Sequence, residues 1–198
     1  MGRANLVAWV AYVDESMRSP GDDAEGLYVL AAAMIEKKHL DAERHRVTRD
    51  LALRGRLPFH WRDEPEPRRA KAVYLVAQMP ALHLVVVGLP LTPAKQERGR
   101  RQCLARLLHE LDTAGVEHVW LDSRRPHDNR RDIRAVDGFR KQLLISPTLR
   151  VSHAYPAGDQ AEPLLWIPDI VAGMITGGHE EYRDALDPIL TEHRIWLD

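Results

Sequence analysis

Three stretches of this 198-residue chain, 5–13, 27–35 and 82–91, are apolar almost without interruption. They constrain the fold more than anything else in the sequence. An apolar run without polar alternation predicts a strand covered on both faces, at the centre of a sheet with layers on either side. The polar stretch Arg18 to Gly26, with Pro20 and Gly21 inside it, predicts a turn region, so the first two strands pair as a wide antiparallel hairpin. Shorter apolar runs at 116–121 and 149–154 predict a fourth and a fifth strand, and 57–61 a short extended piece. Helical spacing marks 39–54, 67–78, 92–114, 128–144, 162–176 and 179–190, while 193–197 is a last strand or coil. Gly55 and Gly115 end two of these helices, and Pro93 opens the third. Strands followed by strand–helix alternation predict an α/β fold: a mixed sheet flanked by helices, with the later strands free to run parallel to the first. No repeat, low-complexity segment or linker divides 1–198, which reads as one domain.

Composition narrows the function classes. The chain is 44% hydrophobic, enough for a sizeable core, and its formal net charge of -1 excludes a general polycation. The charge is uneven. Residues 95–150 carry an excess of arginine and could meet a phosphate backbone, whereas 151–198 are acidic and would not. A charged helix face is also ordinary solvated surface. Cys103 is the only cysteine, which excludes an intramolecular disulfide and a cysteine-based zinc site. No apolar run approaches the ~18 residues of a membrane span. The first run ends in Asp14-Glu15 without a small-residue cleavage site, so it reads as a core strand rather than a signal segment, and a cytoplasmic location is expected.

Three acids stand in apolar contexts: Asp14 at the end of the first run, Asp122 directly after Val119-Trp-Leu121, and Asp169 inside Leu164-Leu-Trp-Ile-Pro-Asp-Ile-Val-Ala172. Carboxylates fixed by several rigid elements are what a pair of divalent ions needs in phosphodiester cleavage, where one ion activates water and the other stabilises the leaving oxygen. Hard oxygen ligands predict Mg²⁺ or Mn²⁺. Asp14 and Asp122 also fit turn residues, and Asp169 a first-turn acid after Pro168. Glu15 joins the candidate metal ligands, although strand alternation turns it to the face opposite Asp14. Ser16, Arg124, Arg125 and His60 are candidate substrate contacts: a hydroxyl, two guanidiniums for phosphate, and an imidazole able to shuttle a proton. Trp61 and Trp166 would either stack bases or pack in the core.

The segments Tyr12-Val-Asp-Glu-Ser16, Gly26-Leu-Tyr-Val-Leu-Ala-Ala-Ala33 and Glu162-Pro-Leu-Leu-Trp-Ile-Pro-Asp-Ile-Val-Ala-Gly173 resemble the DUF3800 family, which is similar to ribonuclease H-like nucleases and their integrase relatives. The resemblance implies a ribonuclease H-like, five-stranded mixed sheet whose first three strands are antiparallel. It implies Asp14, Asp122 and Asp169 as Mg²⁺ or Mn²⁺ ligands of a nuclease acting on DNA or RNA. This chain departs from the family in carrying Met17 where many members have glycine, and Leu165-Trp-Ile-Pro before Asp169. Of a possible fourth acid, Glu97 and Glu110 lie on the corresponding helix. The alternatives are a catalytically inactive module that binds nucleic acid or protein, and a phosphatase-like hydrolase of a small phosphorylated molecule.

Overall fold

The computed structural model describes residues 8–21, 25–52 and 58–198. Residues 5–7 of the first run, 22–24 of the first turn, and 53–57, with the Gly55 helix stop and the start of the extended piece, lie outside the described residues. The elements are β1 (Trp9–Arg18), β2 (Leu27–Glu36), α1 (Leu40–Leu51), α2 (Glu66–Ala77), β3 (Ala81–Leu89), α3 (Gln96–Thr113), β4 (Val116–Asp122), α4 (Pro126–Lys141), β5 (Arg150–Ala154), α5 (Trp166–Gly177), α6 (Glu180–Leu186) and β6 (Leu190–Trp196).

These strands form one mixed sheet in the order β5-β4-β1-β2-β3-β6. β1, β2 and β3 make an antiparallel meander, β4 runs parallel to β1, and β5 parallel to β4. That much follows the expectation. Two points correct it. The sheet has six strands, because 190–196 pairs parallel with β3. This segment, Leu-Thr-Glu-His-Arg-Ile-Trp, carries four polar residues in a row and shows no apolar run, as befits an edge strand with only one paired side. In addition, β1 does not stop at its carboxylates. Pairing continues from Asp14 opposite Ala31 to Arg18 opposite Leu27. The uninterrupted apolar β2 keeps the polar half of β1 extended, so Asp14 and Glu15 lie inside a strand.

Helices cover both faces. Tyr12, Ala31 and Val85 pack on one side with Val47, Val76, Ile170 and Val171 of α1, α2 and α5. Ala11, Val13, Leu30 and Val86 pack on the other with α3 and α4. The α3 stripe Leu104, Leu107, Leu108 and Leu111 recurs at helical spacing and is fully buried. Each such leucine contributes roughly 1.5–3 kcal/mol by leaving water. Among the described residues no helix is long and apolar enough to cross a membrane.

Candidate metal centre

Alternation along the strands decides which acids can meet. Tyr12 packs on the α5 side and Val13 on the α3 side, so Asp14 projects toward α5 and Glu15 away from it. On β4, Trp120 packs on the α5 side and Leu121 on the other, which turns Asp122 toward α5 as well. β1 and β4 pair in parallel with Val13 opposite Leu121, so Asp14 and Asp122 occupy neighbouring positions one residue on. Helix α5 packs across β1 and β2 and brings Asp169 in its first turn to the same side.

The electrostatics record this convergence. Burial, then the charges of Asp169 and Asp122, push the Asp14 carboxyl well above the usual carboxylate range. Asp122 is raised to about 6, first by burial and also by Asp169, against a hydrogen bond from the Ser123 backbone and the charges of Arg100 and His60. Like charges gathered in a poorly hydrated place favour the protonated form. Asp122 Oδ1 is buried without a hydrogen-bond partner among the described residues. The other two acids are held locally. Asp14 Oδ1 accepts the Glu15 N–H at 2.6 Å, and Asp169 Oδ2 accepts the Trp61 N–H at 2.7 Å. Among the described residues, no three His, Cys, Asp or Glu side chains stand close enough to grip an ion as they are arranged here. The donor chemistry nevertheless fits a hard divalent cation: three carboxylates, one with an orphaned oxygen whose burial is costly until something satisfies it.

His60 faces this cluster. Its Nδ1 is 3.2 Å from Asp169 Oδ1, and that hydrogen bond raises the pKa of the half-exposed imidazole. The turn that follows it, Trp61–Asp63, is fixed by the Trp61 ring, which packs edge-on to His179 and Tyr182 with the Arg69 guanidinium over it. Gly173 makes this contact possible, because a Cβ there would fall 2.2 Å from the Trp61 ring. Ser16 shares the face of Asp14 and lines a groove with His60 and Asp169. Trp61 and Trp166 are both buried, so the packing reading holds for each and neither is free to stack a base.

The remaining candidates lie elsewhere. Glu15 reaches Arg100 and the Tyr28 hydroxyl on the α3 side of the sheet. Arg100 is itself buried and makes a two-pronged pair with Asp132, at 3.0 and 2.8 Å. Burial alone would raise Asp132, yet its bonds to His153 and Arg100, with both arginine charges, hold it well below the usual carboxylate range. Arg124 joins the same network, 2.8 Å from Glu97 and 3.3 Å from Asp132. Glu97 and Glu110 also face away from the aspartates, Glu97 bound to Arg124 and Glu110 paired with Arg106. Arg125 is exposed, its Nε 3.0 Å from Asp128. Arg100 and Asp132 do not stand out in the sequence. Their one signal, a basic and an acidic residue on the apolar sides of two amphipathic helices, is indistinguishable from surface charge until the helices are docked.

An α/β fold with a mixed six-stranded sheet and an acidic cluster on its α5 face is thus defined. Against solved structures, the chain is similar to ribonuclease HII in its complex with PCNA from Archaeoglobus fulgidus, with a TM-score of 0.51 and 14% identity over 88% of this chain and 76% of that one. This likeness is consistent with a ribonuclease H-like fold. No protein-family model matches the chain, and comparison with curated proteins likewise finds no match.

Proposed function

We propose that the protein is a divalent-metal-dependent nuclease, with Asp14, Asp122 and Asp169 as ligands of Mg²⁺ or Mn²⁺. One observation carries the reading: three acids from β1, β4 and α5 converge on one face, where burial and the charge of Asp169 raise the pKa of both Asp14 and Asp122, an arrangement costly to the fold without a cation. The fold-level likeness to ribonuclease HII and the resemblance of the Asp14 and Asp169 segments to the DUF3800 family support it. When bound, the metal supplies an activated water and neutralises charge at the phosphate. The chain's own part is to hold the carboxylates. β1 and β4 fix Asp14 and Asp122 through the sheet, and the Trp61 N–H and His60 aim Asp169. His60 stands where it could pass a proton at the edge of the groove. Glu15, Arg124 and Glu97 support the back of β1 rather than bind metal or substrate.

A second reading is a nucleic-acid or protein binding module without turnover. It is favoured by the placement of Glu97 and Glu110 on the opposite face, which leaves three acids rather than four. Calorimetric titration with Mn²⁺ separates the two. The nuclease reading expects binding in the wild type and its loss in Asp14→Asn/Asp169→Asn, together with Mn²⁺-dependent cleavage of an oligonucleotide. Binding that survives in the double variant sinks the assignment.

A further inference from the structure

Beyond Asp169 the groove continues, through Arg18 and His179, into an open cavity of about 410 Å³ lined by residues of β1, β2, β3, α5, α6 and β6. Its floor is apolar, made by Leu27, Val87, Leu89, Met174 and Ile175. Three guanidiniums rim it, those of Arg18, Arg183 and Arg194. Glu25 and Glu180 also line it, so the lining carries one positive charge in excess when His179 is neutral. Arg18 Nη1 donates to the Thr176 carbonyl at 3.2 Å, while its Nε is buried without a hydrogen-bond partner among the described residues. Arg183 and Arg194 both reach Glu192, at 2.9 and 2.8 Å, and Arg183 also lies 3.7 Å from Asp187. The sixth strand builds this place, since its Arg194 is paired across from Val87 of the cavity floor.

We propose that the cavity receives one unpaired nucleotide of the nucleic-acid strand, its base on the apolar floor and its phosphate on the arginine rim. This inference rests on the nuclease reading and names the substrate class: a strand that is single-stranded, or opened, next to the aspartates. The volume is within the range of small-molecule sites, roughly 300–1,000 Å³. A duplex base has both faces stacked, and only an extruded one can enter such a pocket. An apolar floor covers the face of any base irrespective of its identity, because every base has a flat, poorly hydrated face. An inorganic anion would satisfy the rim but leave the floor empty.

The test uses the whole chain in EDTA, so that the metal centre plays no part. Anisotropy of a fluorescent oligonucleotide is read in single-stranded form and as a duplex, with AMP and inorganic phosphate as competitors. Two variants accompany the wild type: Arg194→Glu, at a side chain 69% exposed, and Ile175→Trp, which fills the cavity from a half-buried helix position. The exposed variant keeps the test valid if the bulky one melts early. The expected result is single-strand binding about tenfold tighter than duplex, competition by AMP about tenfold better than by phosphate, and about tenfold loss in each folded variant. Equal binding by wild type and Arg194→Glu, or a preference for duplex, overturns the proposal. Phosphate competing as well as AMP reduces the cavity to an anion site, and AMP binding without oligonucleotide binding makes it a free-nucleotide site; either result also overturns it. The nuclease reading fails separately, by loss of Mn²⁺ binding in the wild type.

Discussion

At the scale of single residues, burial of ionisable groups governs behaviour. His83 on β3 is buried, with neither ring nitrogen hydrogen-bonded to a described residue, and burial lowers its pKa to about 4 from 6.5. Its folded form is therefore neutral while the unfolded chain takes up a proton. Stability from this residue is complete above pH 6.5 and declines as pH falls toward 4, by roughly 3 kcal/mol. Urea unfolding at pH 7 and pH 4.5 should show that decline shrinking in His83→Leu; an unchanged pH dependence would refute it. Asp14 has the opposite sign. Its folded pKa is raised, so its contribution is present at low pH and is lost as pH rises above the ordinary carboxylate range. Asp14→Asn in metal-free buffer at pH 7 should therefore melt higher than wild type in scanning calorimetry, and a lower melting temperature would count against the crowding described here. The three aspartates were legible in the sequence because each is the first acid at the end of, or inside, an apolar run. Arg100 and Asp132 were not, since their neighbours along the chain are equally charged and burial arises only when α3 and α4 dock.

At the scale of elements, close contacts rather than propensities hold the site together. Gly173→Ala would drive a methyl group into the Trp61 ring and displace the backbone N–H that holds Asp169. Overpacking of this kind costs about 1–3 kcal/mol. The variant should lose that much in a denaturant titration and alter tryptophan fluorescence; a wild-type midpoint would show that the turn yields freely. On the other face, Arg100→Met removes the shared partner of Glu15 and Asp132 and leaves the two buried carboxylates with only Arg124 and His153 to offset them. The expected loss is about 3–5 kcal/mol, far above a surface pair, and a loss under 1 kcal/mol would mean that water reaches the network. The central strands and leucine-striped helices were readable from periodicity. The true extent of β1 was not, because its polar half is kept extended by β2, a partner distant in sequence. Nor was β6, whose polar residues hide an edge strand.

At the scale of the whole molecule, the meander β1–β2–β3 is the centre and the parallel strands β4, β5 and β6 are additions to its two sides. Hydrogen exchange should therefore be slowest in β1 and β2, each paired on both sides, and faster in β5 and β6 at the two rims. Uniform protection across the sheet would contradict this order. The fold class was legible because strand order follows from a few connection rules. The convergence of Asp14, Asp122 and Asp169 needed the parallel β1–β4 register, which composition and motif do not contain. One further consequence follows from the adjacent acids of β1. Asp14 belongs to the aspartate cluster and Glu15 to the arginine network, and only the phase of the strand assigns them. Deleting one residue between Trp9 and Val13 would exchange the two acids between faces, sending a carboxylate meant for a cation to Arg100 and the other into the groove. This stretch of chain should therefore tolerate changes of side chain far better than changes of length.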